Sequence, residues 1–281
     1  MNGNVLTPLR SGAREREDLC NSYRQYLLDR DGVPDATWSS LHRRDDGLAR
    51  HSAAKVRFDG PVDADLFRAQ YLSYSPRRET STGLLLLLAY VKVNANEVYA
   101  VDTLMASGCL ISDIERLVLL EETYHTKLLL GASDRYGLSV PGAARPPAAL
   151  RMLINLITRL PVSMRHPLAL AGEILGIAVF TRLLEATRVA LDDQPALRDA
   201  LEARVMEVFV DELGHLSYNR LLVNDTGMEA TRRLLPLILI GFQDAYPELD
   251  RILGRSLSVE DLTSVRFDAM PEEVRSKGFA A

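Results

Sequence analysis

Two short stretches of the same kind stand out in the chain: LEETYH, which ends at His125, and VDELGH, which ends at His215. In each, a glutamate precedes the histidine by three residues, Glu122 in the first and Glu212 in the second. Residues three positions apart project from one face of an α-helix, so the carboxylate and the imidazole of each pair can share one metal ion. Oxygen and imidazole donors together suit iron or manganese. The sequence therefore predicts a metal site to which two helices each bring a glutamate and a histidine.

A single glutamate–histidine pair at this spacing is weak support for a metal site, because such pairs also arise by chance. The alternative is that these residues are exposed acids, each with an incidental histidine nearby. Here the motif occurs twice, each time after another acid and inside an apolar helical stretch. This repetition favours the metal site.

Glu97 is expected to join Glu122 if residues 83–106 and the next helix fold back on each other near Gly108. Glu97 lies 11 residues before Gly108, and Glu122 lies 11 residues after Ile111. Since a helix rises ~1.5 Å per residue, the two carboxylates reach the same height in an antiparallel pair. Glu97 is also the only glutamate in residues 83–106.

Glu173 is expected to join Glu212 by the same reasoning. Glu173 lies 19 residues before Asp192, and Glu212 lies 17 residues after Pro195. That difference amounts to ~3 Å, less than one helical turn. Glu185, the other glutamate of the same helix, would lie near the turn and away from any histidine. The predicted metal ligands are Glu97, Glu122, His125, Glu173, Glu212 and His215.

An acid directly precedes each motif glutamate: Glu121 in the first stretch and Asp211 in the second. A histidine that binds a metal usually donates its other N–H group to a carboxylate, which orients the ring. We therefore expect Asp211 to orient His125 and Glu121 to orient His215 across the bundle. The alternative is that both acids are solvated.

Some small or polar residues share a helical face with a predicted ligand or flank one, and are candidates for a substrate pocket. Buried polar residues are more often satisfied groups of the core, and glycines equally suit tight helix packing. These candidates are Tyr90, Asn94, Gly176, Tyr218 and Asn219. Gly172, like Gly176, flanks Glu173 and would leave room beside the metals. Three histidines match no motif and are expected on the surface: His42, His51 and His166.

Long apolar stretches alternate with short turns, which predicts a helix bundle and no strands. A helix is expected to start near Pro61, and others are expected at 13–28, 83–106, 113–130 and 149–160, after Pro167 to 191, from Pro195 to 223 and at 229–245, with a polar tail after the last. We divide the chain into an N-terminal helical extension (1–80), the bundle (81–225) and a C-terminal helix with its tail (226–281).

Composition bounds the class of protein. The formal net charge is −5 and the pI is near 5.6, with no basic stripe, which argues against a nucleic-acid partner. Two distant cysteines outside any CxxC pattern fit a reduced compartment. No basic start with an apolar core marks a signal peptide, and the longest apolar runs are too short to span a membrane. We expect a cytoplasmic protein without a membrane partner.

The order of ligands, glutamate, Glu-x-x-His, glutamate, Glu-x-x-His, resembles that of the ferritin-like diiron superfamily over residues 83–223. The layout is most similar to the 4-aminobenzoate N-oxygenase family, with a polar N-terminal extension and an extra helix before the third ligand helix. That family has a further histidine ligand four residues before the last glutamate, where this chain has Val208. We count Val208 among the pocket residues and expect oxidation of a C–H or C–C bond rather than of an amine.

The resemblance implies an all-α, ferritin-like four-helix bundle with additional N- and C-terminal helices. It implies two iron ions, with manganese compatible at one position, and an oxygenase that uses O2 on a small organic substrate. An electron donor, either a reductase or a ferredoxin, is then expected, and a homodimer is compatible. The alternatives are a ferroxidase or rubrerythrin-like protein that handles iron or peroxide, and a hydroxylase acting on a carrier-protein-bound substrate.

Overall fold

The computed structural model describes residues 3–31, 63–73, 76–109, 112–138 and 145–280. Within these ranges the regular structure is helical, with one isolated antiparallel bridge between Asn4 and Arg266. The prediction of an all-α helical bundle is confirmed. His42 and His51, which we predicted to be on the surface, lie outside the described residues.

The helices, numbered in chain order, are α1 (Ala13–Asp31), α2 (Ala64–Ser73), α3 (Thr82–Ser107), α4 (Asp113–Ser133), α5 (Ala148–Arg159), α6 (Val162–Ala190), α7 (Pro195–Leu222), α8 (Asp225–Ala245), α9 (Pro247–Leu253), α10 (Val259–Thr263) and α11 (Glu272–Lys277). Short 3₁₀ turns occupy Asp134–Tyr136 and Phe267–Ala269.

Four of these helices, α3, α4, α6 and α7, form a closed bundle. Neighbours pack in the order α3 on α4, α4 on α7, α7 on α6 and α6 on α3. Apolar runs such as Leu86, Leu87 and Leu88 are fully buried in the core. Burying one such leucine contributes roughly 1.5–3 kcal/mol. The middle turns of the four helices are therefore packed in the core, and these turns carry the predicted metal ligands.

The ends of α3 follow local rules. The hydroxyl of Ser81 caps the first turn by accepting a hydrogen bond from the amide of Leu84 at 3.4 Å. At the other end Gly108 adopts a left-handed conformation with φ of 62°, which a residue with a side chain rarely adopts. The turn at Gly108 is where the sequence predicted the chain to fold back.

Two predicted helix ends are wrong. Gly131 does not end α4, which continues to Ser133, where the buried hydroxyl donates to the carbonyl of Leu129 at 3.2 Å. Pro167 lies inside α6, which begins at Val162. As the sixth residue of the helix, this proline lies past the first turn and removes one intrahelical hydrogen bond.

The predicted polar tail is also wrong, because α9, α10 and α11 follow α8. Each of these short helices buries an apolar side chain in or against the core: Leu249, Leu262 and Val274. α9 packs on α3 and α6, and α11 packs on α7. At the other end of the chain, α1 packs on α4 and α7.

Two helices are long and apolar enough to cross a membrane by length and composition, one spanning Thr82–Ser107 and the other Ser163–Ala190. In both, 67% of the apolar window is buried within the bundle. Core helices of soluble proteins have the same character, so the structure is compatible with a soluble protein.

Candidate metal centre

Carboxylates and histidines from all four bundle helices meet at the centre of the bundle. One group contains Glu122, Glu173, Glu212 and His215, with one ligand atom from each lying within 4.8 Å of the others. A second group meets the same criterion with Glu97, Glu122 and His125. Glu122 belongs to both groups, so the six predicted ligands form one continuous cluster.

The helix positions explain this convergence. Glu97 comes from α3, Glu173 from α6, and α4 and α7 each bring the glutamate and histidine of one motif. The side chains of both histidines are fully buried. Because the glutamate and the histidine of each motif lie three positions apart, both side chains enter the bundle from one helix face.

Glu185, the alternative to Glu173 on α6, lies elsewhere. Its carboxylate is 41% exposed and pairs with Arg182 at 3.3 Å and with Arg255 at 4.0 Å. The structure thus brings Glu173, and not Glu185, to the cluster, as the comparison of heights along the helices predicted.

Each histidine uses its two ring nitrogens differently. Nε2 of His125 lies 3.2 Å from Oδ2 of Asp211, and Nε2 of His215 lies 3.0 Å from Oε2 of Glu121. These are the two pairings expected from the sequence. On the opposite side of the rings, Nδ1 of His125 lies 3.4 Å from Glu122 and Glu212, and Nδ1 of His215 lies 3.1 Å from Glu122.

The Nδ1 atoms of His125 and His215 are buried and make no hydrogen bond, although carboxylate oxygens lie close to them. Buried polar nitrogens normally have a partner. A metal ion placed among the carboxylates would supply that partner, since neutral imidazole binds metals through a ring nitrogen. The donor set of four carboxylates and two imidazoles therefore fits a metal ion.

Crowding of like charges shifts the pKa values of the carboxyl groups apart. Burial, with the neighbouring Glu122, raises the pKa of Glu97 well above its usual range, and burial with Glu212 does the same for Glu173. Burial would also raise the pKa of Glu122, but the two histidines outweigh it and hold that pKa well below its usual range. A cation among these groups would relieve their repulsion.

Burial lowers the pKa of His125 and His215, but the surrounding carboxylates outweigh it and raise both pKa values well above the usual range. Without a metal, the two rings therefore act as the counter-charges of the acidic cluster. A bound metal ion would take over that role.

Arg30, on α1, is a contact that the sequence analysis missed. Its Nε donates to Oδ1 of Asp211 at 2.7 Å and lies 3.7 Å from Oε1 of Glu121. Its guanidinium also pairs with Glu207 at 2.9 Å. Arg30 thus joins the two acids that contact the histidines. No local pattern reveals this, because Arg30 lies about ninety residues before Glu121 in the chain.

A partly open cavity of about 260 Å³ adjoins the cluster. Four of the predicted ligands, Glu97, Glu122, Glu173 and Glu212, form its polar end. The rest of the wall is mainly apolar and includes Ala100, Val101, Leu104, Val118, Leu119, Ile157 and Ala169. A small organic molecule can therefore lie directly beside the cluster.

Three of the predicted pocket residues line this cavity: Gly176, Tyr218 and Asn219. Gly172, which was expected to leave room beside the metals, also lines it. Tyr90, Asn94 and Val208, which were also predicted in the pocket, do not line this cavity. The hydroxyl of Tyr90 is hydrogen-bonded to Thr187 at 3.0 Å, and the amide of Asn94 donates to the carbonyl of Thr126 at 2.6 Å. These two are satisfied polar groups between helices, and Val208 is buried in the apolar core.

The prediction that His166 lies on the surface is also wrong. Its side chain is 9% exposed and lines the cavity, with Nδ1 3.3 Å from Oδ1 of Asn219. His166 precedes Glu173 by seven residues, or about two helical turns, which places both on one face of α6. That spacing was the signal in the sequence that could have located it.

No protein-family model, no curated protein and no solved structure matches this chain. The chain's own geometry therefore carries the assignment: a helix bundle with a buried carboxylate–histidine cluster that can hold a metal ion.

Proposed function

We propose that this protein is a non-haem diiron oxygenase that uses O2 to oxidise a small organic substrate. The observation that carries the proposal is the position of the cavity. Its mainly apolar wall ends at the carboxylates of the cluster, so a substrate bound there would lie beside the metal positions.

Two metal positions follow from the two groups of ligand atoms that share Glu122. Glu97 and His125 would hold one ion, and Glu173, Glu212 and His215 would hold the other. Glu122 belongs to both groups. Four carboxylates offset the charge of two divalent ions, and oxygen and imidazole donors suit iron. When bound, the irons would supply the reduction of O2, which ordinary side chains cannot perform.

The chain's own residues have three roles in this proposal. Asp211 and Glu121 keep the two imidazoles turned so that Nδ1 faces the carboxylates. The apolar side chains of the cavity bind the substrate and exclude water from it. The buried position of the cluster, enclosed by four helices, limits access to molecules that fit the cavity.

In a monooxygenation, one oxygen atom enters the substrate and the other leaves as water. Forming that water takes two electrons and two protons in addition to O2. The two electrons would come from an external donor, for which a reductase or a ferredoxin is the expected class. Val208 stands where a further histidine ligand would stand in the N-oxygenases, and for that reason we favour oxidation of a C–H or C–C bond over oxidation of an amine.

Iron storage is the main alternative, and the cavity argues against it. A storage protein passes many iron ions through its site, and cations pass through channels lined by charged or polar groups. Here the route along the cavity is mainly apolar. A hydroxylase of carrier-bound substrates differs from our proposal only in how the substrate arrives.

Uptake of O2 by the iron-loaded protein tests the proposal. The protein, loaded anaerobically with Fe(II) and supplied with a reductant, would be mixed with ¹⁸O2 and a library of small apolar compounds. We expect at least one compound to accelerate O2 uptake and to appear with ¹⁸O by mass spectrometry. Continued iron oxidation with growth of a ferric mineral, and no effect of any compound, would contradict the oxygenase and support storage.

A further inference from the structure

The amide of Asn219 connects the cluster to His166 in the cavity wall. Its Nδ2 donates to Oε1 of Glu173 and to the main-chain carbonyl of His215, both at 3.1 Å. Both of these partners are acceptors, so the atom that faces them has to be the amide nitrogen. The amide oxygen of Asn219 therefore faces Nδ1 of His166, at 3.3 Å.

This arrangement fixes the tautomer of His166. An amide oxygen only accepts hydrogen bonds, so Nδ1 of His166 carries a proton and donates it. Burial lowers the pKa of His166, which keeps the ring neutral near pH 7. In a neutral imidazole with its proton on Nδ1, the other nitrogen, Nε2, is an acceptor.

Nε2 of His166 has no hydrogen-bond partner among the residues that the structure describes. The side chain is more than nine-tenths buried and forms part of the cavity wall. Tyr218 packs against the ring edge-on, with ring centroids 6.5 Å apart, and forms no hydrogen bond with it. Nε2 is thus the hydrogen-bonding atom that His166 can offer to a molecule in the cavity.

The charged residues near His166 are already paired with each other. Nη2 of Arg165 contacts Oε1 of Glu115 at 2.8 Å, and Nη1 donates to the carbonyl of Cys109 at 2.6 Å. Both side chains line the cavity, and their charges offset each other. Away from the metal ligands, the charged side chains of the wall therefore offset each other, and the hydrogen-bonding groups of the wall include the acceptor on His166.

From these contacts we propose that His166 binds the substrate through Nε2, and that the substrate is an uncharged, mainly apolar molecule with a hydroxyl or N–H group. The group donates to Nε2, and the apolar body lies along the wall toward the cluster. His166 is then a specificity-determining residue. This inference rests on the proposed function in that it takes the cavity as the substrate site.

Binding of two matched probes tests the inference without turnover. 4-Propylphenol has a hydroxyl donor, and propylbenzene has the same body without it. Their dissociation constants would be measured by calorimetry on the full-length protein loaded anaerobically with Fe(II), for the wild type and for His166→Phe. One hydrogen bond lost corresponds to about threefold to tenfold weaker binding. We expect that loss for 4-propylphenol in the variant, and no change for propylbenzene.

An equal effect on both probes, no effect on either, or no binding of 4-propylphenol to the wild type would overturn the inference. The NMR spectrum of wild-type protein labelled with ¹⁵N in histidine gives an independent check that needs no variant. We expect His166 as the tautomer protonated on Nδ1, with its Nε2 signal shifted by 4-propylphenol. A proton on Nε2 would also overturn the inference.

The same titrations on metal-free protein separate this inference from the proposed function. If the protein binds no iron but still prefers 4-propylphenol through His166, the oxygenase proposal fails and the role of His166 stands. If iron binds and O2 uptake responds to a substrate, but His166→Phe changes the dissociation constant of neither probe, the oxygenase proposal stands and the role of His166 fails.

Discussion

Asp211 contacts His125 on the side of the imidazole that faces away from the carboxylate cluster, with Oδ2 of the acid 3.2 Å from Nε2 of the ring. The same carboxylate accepts a hydrogen bond from Arg30 at 2.7 Å through its other oxygen. One acid therefore fixes the orientation of a predicted ligand and is itself fixed by a helix outside the bundle.

Replacing Asp211 with asparagine should weaken metal binding about 10–100-fold, because the orienting partner of a metal-binding histidine contributes that much to affinity. Glu207→Gln is the matched control, since Glu207 also pairs with Arg30 but contacts neither histidine. Competition with a chelator gives both affinities. Equal affinities in the two variants would mean that Asp211 does not act through His125.

Glu173→Ala should lower the amount of bound iron by at least one ion per chain, because it removes a ligand atom of the first group. Glu185→Ala, on the same helix, should leave the iron content unchanged, since the carboxylate of Glu185 pairs with Arg182 and Arg255 and is not part of the cluster. Metal analysis after removal of free iron measures both variants. A loss of iron in the Glu185 variant alone would reverse the assignment.

The predictable part of the site is the part that depends on local spacing. Glu122 and His125 are three residues apart on one helix, and the height of Glu173 follows from a constant rise per residue. Glu121 and Asp211 were predictable because they precede ligands directly. All of these inferences need only that the helices exist and that they pair in short hairpins.

The contact of Arg30 and the short helices α9 to α11 depend on tertiary packing, which no local sequence pattern predicts. Arg30 reaches the cluster because Gly214 lets α1 approach closely: a Cβ at Gly214 would lie 3.0 Å from the ring of Tyr23. α9 to α11 are too short to have a recognisable period, although each buries an apolar residue. His166 differs from these, because its seven-residue spacing from Glu173 places both on one face of α6 and could have located it.

Gly176→Ala should weaken metal binding, because a Cβ at this position would lie 3.3 Å from Oε2 of Glu212 and push that carboxylate from its position. Gly172→Ala is the control on the same helix, where an added Cβ meets no atom within 4 Å. The control should keep its iron affinity and gain about 0.5–1 kcal/mol of stability, since alanine favours a helix over glycine. Unchanged affinity in the Gly176 variant would show that Glu212 has room to move.

Lys92 and Glu248 form a buried ion pair at 2.8 Å, with both side chains fully buried, and this pair joins α9 to α3. Glu248→Gln should lower the free energy of unfolding by about 3–5 kcal/mol, because it leaves the ammonium of Lys92 buried without its counter-charge. The double variant Lys92→Met with Glu248→Leu should restore most of that loss. Urea denaturation measures each, and a single variant as stable as the wild type would contradict the expectation.

The central claim is that six side chains from four helices bind two metal ions beside the cavity. Anomalous diffraction at the iron edge, from crystals grown of protein loaded anaerobically with Fe(II), tests it directly. We predict two peaks of similar height, one among Glu97, Glu122 and His125 and the other among Glu122, Glu173, Glu212 and His215. No peak within this cluster, or iron bound only at other residues, would contradict the account.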